Sequence, residues 1–326
     1  MSGFLAYQLP GKEKVIQQGE WVKVSMGELP ADHFFITDFR KENCFYFSAS
    51  KKNIDAYDFH SDHKKLSDVF VVNRNAYLNG LAIFIDEFEP RKIEKAVFSR
   101  INAIQKQTST TPFELFHDIA NKYSKDALVY LVSDSQFGTW MGATPEILLS
   151  GDKSHITSMA LAGTKSNLSD EWTEKEYHEQ QLVESFIEKT IRKQDPLDFE
   201  KSKVKTVKNG AVYHLRTDFL FQLPEMKWNA LIENLHPTPA VCGTPRKSAL
   251  ELIRSFEPHD RDFYTGLVGI KGADKLNVYV NLRCMQVLNE HYALYVGGGI
   301  TSDSDIAAEW NETEGKSQTL ISVING

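Results

Sequence analysis

Two pairs of glutamates, each with a spacing of three residues, stand far apart in this chain. The first pair is Glu176 and Glu179, and the second is Glu309 and Glu312. Residues three apart share one face of a helix, and in both segments that face then becomes apolar. Carboxylates rarely point at a core unless they are paired or bind a cation. If the two helices face each other, their carboxylates would form an all-oxygen site suited to Mg²⁺.

Two basic residues accompany these carboxylates. Arg283 lies on the polar side of a predicted strand, shortly before a run of glycines, and Lys316 follows Glu312 by one helical turn. Each of them alone would be an ordinary surface charge. Together with the paired carboxylates they indicate a metal-assisted site for an anion. The residues themselves therefore predict an Mg²⁺-dependent enzyme that acts on a small carboxylate or phosphate.

Two glycine-containing segments could bring backbone N–H groups close to such a ligand. Gly297, Gly298 and Gly299 end a predicted strand, where they serve either the close approach of a ligand or a structural turn. No strand–helix unit surrounds them, so a dinucleotide site is not indicated. The segment 161–164 also follows a predicted strand, and it is either a turn or a loop that contacts an anion.

The sequence pattern leaves the roles of two further residues open. Glu146 lies between two predicted strands, where a glutamate is commonly a solvated turn residue. His236 stands alone in a loop framed by prolines, where a histidine is more often structural than catalytic.

The elements that must position these residues are a mixture of helices and strands. Apolar spacing predicts helices over residues 111–123, 174–193, 247–256 and 306–323. The alternation of residues 276–284 predicts one continuous strand. Predicted strands adjoin strands more often than they alternate with helices, so the pattern favours an α+β fold with antiparallel sheets.

Composition and charge narrow the class of protein. The 326 residues are 41% hydrophobic and 25% charged, which is ordinary for a soluble protein of one large or two closely packed lobes. The net charge of -7 argues against nucleic acid as the main partner. There is no apolar run long enough for a membrane span and no signal-peptide core, and the three cysteines are scattered. We therefore expect a cytoplasmic protein without a membrane partner.

Nine motifs, taken in their order, resemble those of the chorismate-utilising enzymes. They are Lys95-Ala-Val-Phe-Ser-Arg100, Gly142-Ala-Thr-Pro-Glu146, Leu161-Ala-Gly-Thr164, His178-Glu179, Leu235-His-Pro-Thr-Pro239, Asp260-Arg-Asp-Phe-Tyr-Thr-Gly266, Leu282-Arg-Cys284, Gly297-Gly-Gly-Ile300 and Glu309-Trp-Asn-Glu-Thr313. The resemblance implies a chorismate-binding catalytic domain over residues 66–326, with residues 1–65 as a weakly matched N-terminal part of the fold. It also implies two antiparallel β-sheets packed face to face, with peripheral helices and an active site in a deep cleft.

Within this family the motifs are most similar to those of isochorismate synthases. In that reaction water adds at C2 of chorismate while the C4 hydroxyl leaves. By this resemblance Lys95 is the general base that activates water, a role that burial among apolar neighbours would favour. Glu146 is the general acid that protonates the leaving hydroxyl, which requires a raised pKa. His236 would line the ring of the substrate.

The resemblance also assigns the groups that hold the substrate and a metal ion. It implies that Glu179 and Glu312 bind Mg²⁺ and that Glu176 and Glu309 hold metal-bound waters. It implies that the backbone of Gly163 and Thr164 contacts the ring carboxylate. The groups implied for the enolpyruvyl carboxylate are Tyr264, Arg283, Lys316 and backbone N–H groups near Gly298 and Gly299.

One position separates the reactions within the family. The small side chain of Ala162 leaves room for water at C2, whereas relatives that use ammonia carry a bulkier residue there and others carry a lysine nucleophile. A salicylate synthase, which goes on to eliminate pyruvate from isochorismate, would use the same residues and stays open as an alternative. A non-catalytic chorismate-binding protein stays open as well. We expect a monomer whose partner is the small molecule chorismate.

Overall fold

Antiparallel strands dominate the computed structural model, which describes residues 3–52, 57, 59, 66–107, 110–165, 167–209 and 212–326. The strands in this part of the chain are β1 (Gly3–Gln8), β2 (Lys14–Val24), β3 (His33–Thr37), β4 (Cys44–Lys52), β5 (Lys95–Gln105), β6 (Leu128–Asp134), β7 (Gly138–Thr144), β8 (Ile147–Asp152), β9 (Ile156–Lys165), β10 (Leu197–Lys201), β11 (Lys205–Asn209), β12 (Val212–Gln222), β13 (Gly243–Thr244), β14 (Leu267–Lys271), β15 (Lys275–Val280), β16 (Cys284–Val287) and β17 (His291–Ile300).

Helices pack on these strands. Those among the described residues are α1 (Arg74–Asp86), α2 (Phe88–Arg91), α3 (Pro112–Tyr123), α4 (Glu174–Arg192), α5 (Trp228–Leu235), α6 (Arg246–Phe256) and α7 (Ile306–Ile324). The predictions for α3, α4, α6 and α7 are confirmed to within one residue at each end. Local chemistry sets these starts: Thr111 and Glu114 form a capping box at α3, and the Asp305 carboxylate accepts a hydrogen bond from Ala308 N at α7 (2.7 Å).

The strands form one continuous antiparallel network with two halves. One half has the order β13–β5–β17–β16–β7–β6–β1. The other has the order β3–β14–β15–β8–β9–β12, with β10 and β11 both on β12. β2 joins β1 to β4, and β4 pairs with β3. The expected α+β fold with antiparallel sheets is confirmed, and β2 and β4 link the two halves.

The two halves bury an aromatic-rich core between them. Tyr130 and Trp140 from β6 and β7 belong to the same cluster as Val268 and Tyr279 from β14 and β15. Burying one large apolar side chain contributes about 2 kcal/mol, so this interface is a major source of stability. Helices α3 and α7 cover the outer face of one half, and α4 and α5 cover that of the other.

The segment Leu276–Cys284 is not the single strand that its alternation predicts. β15 ends at Val280, β16 begins at Cys284, and Arg283 between them has a φ of 49°. β15 pairs with β8 in one half, whereas β16 pairs with β7 in the other. Both strands keep an apolar face in a core, so the alternation continues across the change of sheet half and hides it.

The N-terminal strands belong to the same network as the rest of the chain. β1 pairs with β6, and β3 pairs with β14. The domain boundary expected near residue 65 falls within residues 60–65, which lie outside the described residues, and it stays a prediction. Among the helices of the described residues, none is both long enough and apolar enough to cross a membrane.

Candidate active site

A cavity lies where β5, β9 and β17 approach helices α4 and α7. Its lining includes twelve of the fifteen residues predicted for the site, whereas Glu176, His236 and Glu309 lie outside it. The twelve are Lys95, Glu146, Ala162, Gly163, Thr164, Glu179, Tyr264, Arg283, Gly298, Gly299, Glu312 and Lys316. They come from segments far apart in the chain, so the tertiary fold brings them together.

Lys95 is buried at the start of β5, with 1% of its surface exposed. Its Nζ donates a hydrogen bond to Oε1 of Glu179 on α4 at 2.7 Å. A Cβ on Gly299, across the ladder on β17, would lie 2.8 Å from Lys95 Cε and 2.6 Å from Glu179 Oε1. Because Gly299 lies within a strand, close approach of these side chains explains the glycine and a turn does not.

Glu146 lies in the corner between β7 and β8 and is 9% exposed, so it is not a solvated turn residue. Burial raises the pKa of its carboxyl to about 7, although the charges of Lys95, Lys316 and Arg283 act in the opposite direction. The carboxyl is therefore mostly protonated below about pH 7 and can donate a proton to a bound molecule.

Arg283, Tyr264 and Lys316 form a polar wall of the cavity. Arg283 Nη1 donates to the carbonyl oxygen of Lys316 at 2.9 Å. Lys316 Nζ donates to Gly297 O at 2.9 Å and to Glu312 Oε1 at 2.5 Å. A Cβ on Gly297 would lie 3.0 Å from the Tyr264 hydroxyl oxygen. An ammonium group and a phenol are thus held close to the same glycine backbone, and the Arg283 guanidinium lies in the same cavity lining, as an anion site requires.

Glu309 on α7 has one carboxylate oxygen without a hydrogen-bond partner. Its Oε1 accepts hydrogen bonds from Ser304 Oγ at 2.7 Å and from Lys175 Nζ at 3.4 Å, whereas the buried Oε2 accepts none. Burial, and then the neighbouring charge of Glu312, raises the pKa of Glu309. A Cβ on Gly298 would lie 2.9 Å from this unpaired oxygen. An unpaired carboxylate oxygen beside a second carboxylate, facing a bare backbone, fits a hard cation such as Mg²⁺.

The other predicted metal-binding carboxylates are held by partners within the protein. Glu176 lies outside the cavity lining and closes the capping box of α4 by accepting a hydrogen bond from Thr173 N at 2.9 Å. Glu179 and Glu312 are each paired with a lysine. In the part of the chain that the structure describes, no three histidine, cysteine, aspartate or glutamate side chains are gathered to hold a metal ion. A cation would have to displace the two lysines.

Gly163 shapes the end of β9 beside the cavity. Its φ is 68°, and a Cβ there would lie 3.1 Å from the Cβ of Glu176. The register between β9 and β12 shifts at this point, with Ala162 opposite Leu215. The segment is thus an irregular strand end whose backbone faces the cavity.

His214 is a cavity residue that the sequence argument missed. It lies on β12 at the register shift, and its Nδ1 contacts Gly163 O at 2.7 Å. A carbonyl oxygen only accepts hydrogen bonds, so Nδ1 carries the proton and Nε2 keeps a lone pair. Burial lowers the pKa of His214 to about 4, so the imidazole is neutral at neutral pH. A lone histidine in a strand carries no signal in a single sequence that distinguishes it from a core residue.

His236, which was expected to line the substrate ring, lies outside the cavity lining. It is fully buried, and its Nε2 donates a hydrogen bond to Phe39 O at 3.2 Å. Burial, and then the charge of Lys41, lowers the pKa of His236 to about 3. The prediction is corrected here: this residue is a neutral core histidine, and the histidine at the cavity is His214.

Known proteins are similar to this chain in sequence. Residues 46–325 match the family model described as chorismate binding enzyme. Isochorismate synthase EntC of Escherichia coli (strain K12) is 30% identical over 200 residues, which are 57% of this chain and 51% of that protein. Isochorismate synthase MenF of Bacillus subtilis (strain 168) is 25% identical over 317 residues, which are 91% of this chain and 61% of that protein. The chain thus spans about half the length of the first relative.

A solved structure is similar in fold. The menaquinone-specific isochorismate synthase MenF from Escherichia coli matches with a TM-score of 0.80 at 17% identity, over 99% of this chain and 88% of that one. At this identity the likeness concerns the fold alone. The family match, in contrast, covers most of the chain and all of the segments that line the cavity. The chain therefore belongs to the family of chorismate binding enzymes.

Proposed function

We propose that this chain is an isochorismate synthase, which converts chorismate to isochorismate. The observation that carries the proposal is that Lys95 and Glu146 line the same cavity. One is a buried amine, and the other is a buried carboxyl whose pKa is raised to about 7. Moving a hydroxyl between ring carbons needs a base for the entering water and an acid for the departing oxygen.

The proposed reaction balances in water and protons. Lys95, as the general base, takes a proton from water as the water oxygen bonds to C2 of chorismate. The ring double bonds rearrange, the C4–O bond breaks, and Glu146 gives its proton to the departing hydroxyl, which leaves as water. Exchange with solvent then returns both side chains to their starting states. The small side chain of Ala162 in the lining leaves space for the entering water.

The two carboxylates of chorismate would be held by different groups. Those proposed for the enolpyruvyl carboxylate are Arg283, Lys316, Tyr264 and the backbone N–H groups of Gly298 and Gly299. The backbone of residues 163–164 would contact the ring carboxylate. His214, neutral and with a free lone pair on Nε2, would accept a hydrogen bond from a ring hydroxyl.

We propose Mg²⁺ as the cofactor, held by Glu179 and Glu312, with Glu309 on a metal-bound water. Glu176 is left out of this proposal because it closes the capping box of α4 outside the cavity lining. The support is the unpaired Oε2 of Glu309 and the bare backbone of Gly298 in front of it. When bound, Mg²⁺ would neutralise and anchor the ring carboxylate. Binding of Mg²⁺ there requires Glu179 and Glu312 to give up their ion pairs with Lys95 and Lys316.

Glu312→Gln is expected to raise the Mg²⁺ concentration needed for half-maximal activity by at least about tenfold, because it removes one anionic ligand. The substitution keeps a hydrogen-bonding partner for Lys316. Mg²⁺ titration of initial rates measures the effect. Glu188→Gln is the matched control, since Glu188 lies on α4 and pairs with Lys201 and Arg192 away from the cavity. An unchanged Mg²⁺ titration in Glu312→Gln would exclude Glu312 as a ligand.

The deciding experiment for the function is incubation with chorismate and Mg²⁺, with the products resolved by chromatography. We expect isochorismate without pyruvate. Salicylate with an equal amount of pyruvate would instead identify a salicylate synthase, and unchanged chorismate would exclude both enzymes. The monomeric state and the cytoplasmic location stay predictions.

A further inference from the structure

Two residues other than glycine in the cavity lining have backbone in the left-handed region. Thr265, next to Tyr264, has a φ of 59°, and Arg283 has a φ of 49°. Neither residue is glycine, so surrounding contacts must hold each backbone in this conformation. The Arg283 segment is also the point where the chain passes from one sheet half to the other. Tyr264 and Arg283 thus depend on contacts beyond their own side chains.

Asn281 connects the segments that contain these two residues. Its backbone N donates to Gly266 O, and its carbonyl oxygen accepts from Thr265 N, both at 2.8 Å. Its side-chain Nδ2 donates to Phe263 O at 2.9 Å. One residue therefore binds the chain on both sides of Tyr264, two positions before Arg283 in sequence.

Tyr130 fixes the orientation of the Asn281 amide. Its hydroxyl donates to Asn281 Oδ1 at 2.8 Å, and both residues are fully buried. An amide bonded at both ends cannot rotate without leaving a buried polar group unpaired, which is unfavourable. Because Tyr130 lies on β6, the amide is anchored to a strand that is flanked on both sides, by β1 and β7, in the sheet half that contains β16.

We propose that Asn281 is a positioning residue for recognition of the enolpyruvyl carboxylate, an inference that rests on the proposed function. Asn281 is not part of the cavity lining, so it acts through Tyr264 and Arg283. The enolpyruvyl carboxylate does not take part in the bond changes at C2 and C4. Holding it therefore stabilises the bound substrate and the transition state equally, and losing that contact raises KM without lowering kcat.

Asn281→Ala is expected to raise the KM for chorismate about tenfold and to change kcat less than about threefold. The reason is that the lost interaction stabilises the bound substrate and the transition state equally. Asn277→Ala is the matched control. Asn277 is the same residue type and lies on β15, four residues before Asn281. Its Oδ1 accepts a hydrogen bond from Ser150 Oγ at 3.2 Å outside the cavity. This control should keep the wild-type KM.

A binding measurement separates recognition of the second carboxylate from general loosening of the site. Isothermal titration calorimetry would compare 3-(carboxymethoxy)benzoate, which has two carboxylates, with 3-methoxybenzoate, which has one. Asn281→Ala should weaken binding of the dicarboxylate about tenfold and leave the Kd of the monocarboxylate unchanged. If that variant does not fold, Tyr130→Phe, which removes only a hydroxyl, should weaken dicarboxylate binding about threefold.

The outcomes distinguish this inference from the function on which it rests. The inference is overturned if a folded variant binds the dicarboxylate as wild type does, if both ligands weaken equally, or if kcat falls at unchanged KM. The proposed function fails differently: the wild-type protein would bind the dicarboxylate and leave chorismate unchanged.

Discussion

Replacing Lys95 by alanine is expected to lower kcat with chorismate by about 10³-fold, in line with the usual contribution of a positioned base. Lys95 is buried in the cavity lining, and its Nζ contacts one of the proposed metal ligands, so the proposed reaction would place it beside the substrate. Lys316, another amine in the lining, donates to Gly297 O and is the group proposed to hold the enolpyruvyl carboxylate, so it does not replace Lys95 as the base. Initial rates of isochorismate formation at saturating chorismate and Mg²⁺ measure the effect.

The space left by the deleted side chain allows a direct test of the amine. Ethylamine or propylamine should restore part of the rate of Lys95→Ala, in proportion to the concentration of unprotonated amine. Lys271→Ala is the control, since Lys271 is a buried lysine on β14 whose Nζ donates to Leu29 O at 3.1 Å outside the cavity. It should keep the wild-type kcat. Turnover of Lys95→Ala within about tenfold of wild type would exclude Lys95 as the base.

The helices that carry the paired glutamates could be predicted because their signals are local. Apolar spacing and flanking residues define α4 and α7, and the structure confirms both to within one residue at each end. The partners of the glutamates could not be predicted in the same way. Glu179 is paired with Lys95, which comes from a distant strand. Glu176 follows Thr173 by three residues, the local signature of a capping box, and the structure shows it in that role.

The crossing between the sheet halves shows where sequence patterns stop being informative. Alternating hydrophobicity reports that a residue faces a core, but it does not report which half of the network supplies the neighbours. β15 and β16 therefore look like one strand, although Arg283 between them turns into the cavity. The same limit explains the histidines, since only tertiary packing places His214 at the cavity and His236 in the core.

Replacing Glu146 by glutamine is expected to lower kcat by about 10²–10⁴-fold, because the amide cannot protonate the departing hydroxyl. Burial raises the pKa of Glu146 to about 7, so the wild-type kcat/KM should fall as pH rises above this value. The residual activity of Glu146→Gln should lack this dependence, because glutamine does not titrate. Rates measured between pH 5 and pH 9 test both statements, and a variant with wild-type turnover would exclude Glu146 as the acid.

The same substitution is expected to stabilise the fold at alkaline pH. The ordinary pKa of glutamate is 4.5, so between that value and about 7 the folded protein binds a proton that the unfolded chain has released. The free energy of unfolding therefore falls as pH rises through this range, and glutamine avoids the loss. At pH 8 Glu146→Gln should exceed wild type by about 3 kcal/mol, with no gain at pH 4.

Glu257→Gln is the control for the stability measurement, because it is expected to lower the free energy of unfolding at pH 8 where Glu146→Gln raises it. Burial acts to raise the pKa of Glu257, but the charge and the 2.6 Å hydrogen bond of Arg261, together with His259 and Ser99, outweigh burial and lower that pKa. Removing this carboxylate leaves Arg261 buried without its partner, so Glu257→Gln should be less stable than wild type at pH 8. Denaturant unfolding at pH 4 and pH 8 measures both variants. Destabilisation of Glu146→Gln at pH 8 would mean that Glu146 is a charged structural partner of the nearby cations and not an acid.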